Sequence, residues 1–197
     1  MSVTSAALAT LLLLAAPASL LGAQWLNLHE ADESCKGFVQ SFYESYGPQF
    51  YDEQVQGPSV WPSTRSSKDF SEYDPELARQ LKELFDAEVK SGTVLLDFDP
   101  VINRPRPRDM YVTGAVSHKG EHFLVDVYGV TDGRRSDQPD VVPELAYEVR
   151  RWLFVNFHYP NRTHPSSDEN LLSMLKKFRK TIRQAPQSSA NPSGGDR

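Results

Sequence analysis

The chain has 197 residues, 21 basic and 26 acidic, giving a formal net charge of −5 and a pI near 5.5. That balance excludes nonspecific nucleic-acid binding, which needs a basic footprint to displace counterions. With 24% charged and 39% hydrophobic residues the body of the chain is that of a folded domain, and a single cysteine, Cys35, excludes intrachain disulfides and zinc sites built on cysteine pairs.

Residues 1–23 carry no charge, and Ala6 to Ala16 is apolar except for Thr10. Pro17, Ser19 and Leu21-Gly22-Ala23 follow. A short apolar core ending in small residues reads as a secretory signal peptide cleaved after Ala23, with Ala18 as the alternative site. Met1 to Ser5 lacks the usual Lys or Arg, so an uncleaved membrane anchor is the competing reading. Against it, the stretch barely reaches the roughly 20 residues of a spanning helix and is interrupted by Pro17 and Ser19. The expected organisation is a signal over 1–23, one domain over 24–184 and a disordered Pro/Gly/Ser/Asn tail over 185–197. The protein is then exported, periplasmic or extracellular, with no stable membrane span after cleavage.

From about Asp32 to Tyr46, Cys35, Phe38, Val39, Phe42 and Tyr46 fall on one helical face. Cys35 is read there as a small apolar residue. Gly47-Pro48 is expected to end this helix. Residues 47–73 then form a surface connection, pinned by Trp61. Asp74-Pro75-Glu76 is a helix start, with Asp as N-cap and Pro in the first turn. Leu77, Leu81, Leu84, Phe85 and Val89 make its buried stripe, and Gly92 stops it.

Met110–His118 and His122–Val130 are β-rich runs joined by a hairpin signal at Lys119-Gly120-Glu121. Asp132-Gly133 opens a polar connection. Val141–Val149 and Trp152–Tyr159 are two further strands; Pro143 either unsettles the start of the first or puts it at a sheet edge. Asp168–Gln184 is a last helix capped near Ser167, with Leu171, Leu175, Phe178 and Ile182 on one face. Its cluster Lys176, Lys177, Arg179, Lys180 and Arg183 reads as a solvated face favoured near a helix C-terminus. Helices followed by a meander of about four antiparallel strands give an α+β fold, a curved sheet with the N-terminal helices on one face and a C-terminal helix.

Alternation separates the sheet faces. In the second strand Phe123, Val125 and Val127 oppose His122, Leu124, Asp126 and Tyr128. In the fourth, Leu153, Val155, Phe157 and Tyr159 are expected to oppose Trp152, Phe154, Asn156 and His158.

Phe38-Val39-Gln40-Ser41-Phe42-Tyr43, Leu77 with Leu81, Leu96-Asp97-Phe98-Asp99-Pro100 with Asn103, and Trp152-Leu153-Phe154-Val155-Asn156-Phe157-His158-Tyr159 stand in that order. In these segments the chain resembles a family of exported bacterial proteins classified as domain of unknown function 3828, over roughly residues 35–180. The resemblance implies a cystatin-like or nuclear-transport-factor-2-like cone and assigns no activity. The chain departs from the family pattern at Arg104-Pro105-Arg106-Pro107-Arg108, which lengthens a connection, and at Asn156, where an acidic residue is expected.

Asp97 and Asp99 are two oxygen donors, but hard cations take six or more. An Asx-stabilised turn before Pro100 is the simpler reading. Asp126 is a carboxylate in an apolar strand. Inside a pocket, desolvation would make it a general base, with Tyr128 and His122 as neighbours; on a wetted face it would meet water or an Arg. Asn156 and His158, with Trp152 and Phe154, would line a small-molecule pocket, a homodimer interface, or a surface covered by the 47–73 loop. Asn161-Arg162-Thr163 is a glycosylation sequon of consequence only in a eukaryotic pathway. No cofactor or metal motif is present in the sequence. The reading favoured is a non-catalytic binding or interaction module of the bacterial cell envelope. Its candidate site is Asp126, Tyr128, Trp152, Asn156 and His158, and its partner is an unidentified small molecule or protein, not a nucleic acid. The alternative is a small enzyme with Asp126 as base.

Overall fold

The structure, a computed structural model, describes residues 19–54, 70–92, 94, 96, 98–160 and 170–184, with side chains from 28–46 and 170–180 in the terminal helices. Residues 1–18, the Trp61 loop, Asp97, the 161–163 sequon, the expected cap at Ser167 and the 185–197 tail lie outside the described residues.

The fold is α+β: helices α1 (Ser19–Gln54), α2 (Pro75–Ser91) and α3 (Leu171–Gln184) with an open antiparallel sheet. Its strands are β1 (Met110–Lys119), β2 (His122–Thr131), β3 (Arg134–Arg135), β4 (Val142–Glu148) and β5 (Arg151–His158), in the order β1-β2-β4-β5 with β3 paired to β2. Helix α1 is longer than its hydrophobic stripe and passes through Gly47-Pro48 instead of ending there. Pro48 lacks the N–H for one bond to the preceding turn, a local loss that the helix absorbs.

Helix α2 follows its local signals. The Asp74 carboxylate accepts from the amides of Glu76 and Leu77 at 2.9 and 3.1 Å, Pro75 starts the helix, and Gly92 closes it in the left-handed region. Leu77, Leu81 and Leu84 are buried. Val89 is 75% exposed instead of joining them, because at 3.6 residues per turn it stands about 120° around the helix from Leu77. Helix α3 is capped by Asn170, whose Oδ1 accepts from the Ser173 amide at 3.0 Å, and it buries Leu171, Met174 and Leu175.

All three helices contribute to one core against one sheet face. Phe42 of α1 packs on Phe154 with ring centres 4.7 Å apart, and Phe154 on Phe157 at 5.2 Å. Cys35 is fully buried there, and burial, with the nearby Asp32 charge, pushes its thiol up to about 12. Three tyrosine hydroxyls pin the turn before β1: Tyr43 donates to the Val101 carbonyl, Tyr159 to the Pro100 carbonyl and Tyr46 to Asp99 Oδ2 at 2.6 Å. Asp99 Oδ1 accepts from the Val101 amide at 2.8 Å, the expected Asx turn.

Both sheet edges have partners. On β5, the Phe154 amide donates to the Glu72 carbonyl and the Asp74 amide to the Phe154 carbonyl. On β1, the Gln40 carboxamide of α1 donates to the Tyr111 carbonyl at 3.1 Å and accepts from the Thr113 amide at 2.9 Å. Pro143 is interior to the sheet, not at its edge. It is tolerated because β4 pairs with β2 at Leu145 and Glu144, then again only at Val141, so the missing N–H falls in a gap of the ladder.

Three hairpin turns differ in their chemistry. Gly120 takes a φ of 63° between β1 and β2. Asp132-Gly133, both at positive φ, makes a two-residue turn of the type that matches strand twist and folds β3 back on β2. Val149 and Arg150 make the same kind of turn between β4 and β5, at φ 48° and 63°, although neither is a glycine or asparagine.

Candidate functional site

Two bulges decide what the outer sheet face presents. On β2, Val125 and Val127 are buried under the helices, and His122, Leu124, Asp126 and Tyr128 point outward as the alternation predicts. On β5 the alternation breaks. Glu144 pairs with Asn156 and Leu145 with Phe154, leaving Val155 unpaired. That extra residue reverses the strand's parity. Trp152 and Phe154 therefore face the helices together with Phe157, whereas Asn156 and His158 face outward.

Trp152 parts from the rest of the predicted set. It is 8% exposed, packs on Phe123 with ring centres 4.8 Å apart and donates from its indole to Ser34 Oγ of α1 at 3.1 Å. Covered by α1, it lines neither an outer-face pocket nor a dimer surface on that face. The other four predicted residues share the outer face in two groups.

Glu144, which sequence reasoning missed, centres the first group. It is only 5% exposed, and its Oε1 lies 2.7 Å from His122 Nδ1 while its Oε2 lies 2.7 Å from His158 Nε2. Asn156 donates to Oε2 at 3.4 Å, and Lys119 Nζ stands 3.9 Å away. Burial by itself pushes the carboxyl up. The hydrogen bonds from His122 and His158, with the charges of His158 and Lys119, outweigh it and hold Glu144 below its ordinary value. An ionised carboxylate only accepts, so His122 carries a proton on Nδ1 and His158 on Nε2. His122, 42% exposed at its side chain, thus turns Nε2 away from Glu144. Asn156, itself buried, also ties β5 to α3, since its Oδ1 accepts from the Leu172 amide at 3.1 Å.

The second group is Asp126, Tyr128 and Arg135. The Tyr128 hydroxyl is 3.4 Å from Asp126 Oδ2, and the Arg135 guanidinium lies over the Tyr128 ring, 4.4 Å from its centre. A bulge at Gly114-Ala115 opposes Asp126. The Tyr128 ring covers Gly114 so closely that a Cβ there would fall 2.5 Å from it. Tyr128 is thus held between Arg135 and Gly114. Asp126 is half-buried on the outer face of β2.

Among the described residues no three of His, Cys, Asp and Glu converge for a metal ion. The two imidazoles address separate oxygens of Glu144, which is hydrogen-bond geometry, not a shared coordination point. The signal for Glu144 was present in the sequence: a lone carboxylate in the apolar run Val141 to Tyr147, the same anomaly that marks Asp126. Comparison with known protein families, curated proteins and solved structures finds no match for this chain.

Proposed function

We propose that the protein is a non-catalytic binding module of the bacterial cell envelope that engages a polar ligand through the outer sheet face, at His122, Asp126, Tyr128, Asn156 and His158. One observation carries this reading. The ionisable groups of that face satisfy one another, with both oxygens of buried Glu144 taken by half-exposed imidazoles and Tyr128 joined to Asp126 and Arg135. A general base needs a desolvated pocket to raise its basicity, whereas Asp126 is only half-buried on the sheet face and lies beside the Tyr128 hydroxyl. The face offers alternating donors and acceptors and no bare aromatic ring, which suits a hydrated, hydroxyl- and carboxylate-bearing ligand. Export is supported by the apolar, uncharged first 23 residues and by the resemblance to exported proteins.

The test is an NMR titration of the isotope-labelled protein with soluble peptidoglycan fragments. Shift changes centred on His122, Asp126, Asn156 and His158, with the fragments unaltered, are expected. Changes confined to another surface overturn the assignment of the face. Turnover of a fragment that Asp126→Asn abolishes establishes the enzyme alternative instead.

A further inference from the structure

Glu144 is shared by the two strands that flank its own. It stands on β4 opposite Leu124 of β2 and Asn156 of β5, so His122 reaches it diagonally from one side and His158 from the other. The rings meet different carboxylate oxygens through different nitrogens, Nδ1 of His122 and Nε2 of His158, each at 2.7 Å. Each ring therefore keeps one nitrogen off the carboxylate, Nε2 of His122 and Nδ1 of His158. In a neutral imidazole that second nitrogen is an acceptor. Both rings reach solvent, His122 more than His158.

A proton added to either ring goes to that second nitrogen. The bond to Glu144 survives, because a carboxylate accepts from an imidazolium as it does from an imidazole, and more strongly. Proton uptake thus turns two acceptors into two donors without moving a side chain. The charge changes with it. Glu144 and Lys119, 3.9 Å apart, cancel while the rings are neutral, and each imidazolium then adds one positive charge to the cluster. Imidazole is the side chain whose charge ordinarily changes between pH 5 and 8.

The groups that face the cluster come from each element packed around it. The end of β1 brings Lys119, β2 brings His122, β5 brings His158 and Asn156, and α3 brings a backbone amide, the Leu172 N–H on Asn156 Oδ1. Among the described residues Glu144 is the carboxylate paired with both rings. His118 belongs to the opposite face, where it packs on Phe123 and meets Asp32.

We propose that His122 and His158 make the outer face a proton-gated anion site, whose second ring nitrogens hold a carboxylate or other anionic group of the ligand in mild acid and release it above neutrality. The inference rests on the outer face being the binding surface and adds the regulation of that surface.

The probe is methanesulfonate, a single-charged anion that does not titrate in this range, added to the full chain at low salt and followed by NMR of the imidazole nitrogens. Its affinity is expected to be at least about fivefold higher at pH 5 than at pH 8, the effect of one unit charge at about 4 Å in water. Asn places an N–H near the position of Nδ1, and Gln near that of Nε2. His122→Asn with His158→Gln therefore keeps both bonds to Glu144 but takes up no proton, and should bind the anion equally at the two pH values. Equal affinity of the unaltered protein at both pH values overturns the proposal, as does a pH dependence that persists in the folded double variant. The unaltered protein gives a test that needs no variant: its ring nitrogens should report Nδ1–H on His122 and Nε2–H on His158 at neutral pH. The same tautomer on both rings overturns the geometry. Peptidoglycan fragments that leave this face untouched, while methanesulfonate binds it in acid, overturn the binding surface's natural ligand and keep the gate. Fragments that bind through this face equally well at both pH values overturn the gate alone.

Discussion

Replacing Glu144 by Gln keeps the side chain's shape and removes its charge. The carboxylate accepts from His122 and His158 at 2.7 Å each; a carboxamide accepts at one position and presents N–H at the other. One imidazole then faces a donor and must move its proton to the other ring nitrogen to be satisfied. A hydrogen bond to a charged group contributes about 1.5–3 kcal/mol net, and the tautomer change recovers part of that. Glu144→Gln is therefore expected to lose about 2 kcal/mol near pH 7. The pH dependence has a definite sign. Glu144 titrates below its ordinary value of 4.5 in the folded protein. Its contribution is present above that ordinary value and is lost as pH falls through the folded-state value. Urea unfolding of both proteins, followed by circular dichroism from neutral pH downward, should show a gap that narrows in acid. Equal stabilities near neutrality, or a gap that persists unchanged in strong acid, would refute the account of Glu144 as an ionised acceptor for both imidazoles.

Four further outcomes follow from the packing. Val149→Asn with Arg150→Gly should raise stability by about 1–2 kcal/mol, since left-handed backbone costs ordinary L-residues about that much each; a thermal midpoint that does not rise contradicts the strain. Gly129→Ala should destabilise strongly, because the new Cβ would overlap Asp140 Oδ2 and Arg108 Cγ, displacing a part-buried ion pair. Gly37→Ala, with nothing within 4 Å of the new methyl in the interior of α1, should instead gain about 0.5–1 kcal/mol; chemical denaturation of the two variants checks the opposite signs. Tyr46→Phe removes the hydroxyl 2.6 Å from buried Asp99 and should cost about 1.5–3 kcal/mol, a loss read by hydrogen exchange at the Val101 amide as well as by unfolding.

The parts of this fold legible in the sequence are those that local chemistry decides. Asp74-Pro75 and Gly92 bracket α2 because capping is a property of neighbouring residues, and the outward set of β2 follows from a strand of unbroken parity. The errors arise where a single residue acts through the sheet. Val155 has no signature that marks it as unpaired, yet it moves Trp152 and Phe154 into the core and leaves Asn156 and His158 outside. Pro143 signalled an edge, but ladder gaps are set by the pairing of β2 with β4, which one strand's sequence does not contain. Glu144 was overlooked for a related reason. Its meaning depends on two histidines, 22 residues before it and 14 after, that only the strand order brings together.

A primary carboxamide is a peptide group in miniature, with a carbonyl oxygen on one side and an N–H donor on the other. At Gln40 that group gives β1 what a neighbouring strand would otherwise give it. The usual guards against self-association, a charge or a proline on the strand itself, are thus supplemented by a residue lying some 70 positions earlier in the chain. Until α1 is docked, β1 is a template open to any other β-prone segment. A chain that emerges with α1 first and β1 much later passes through that state each time it folds. Gln40 accordingly bears on aggregation during folding more than on the energy of the finished domain, and a substitution there would appear as lost yield before it appeared as lost stability.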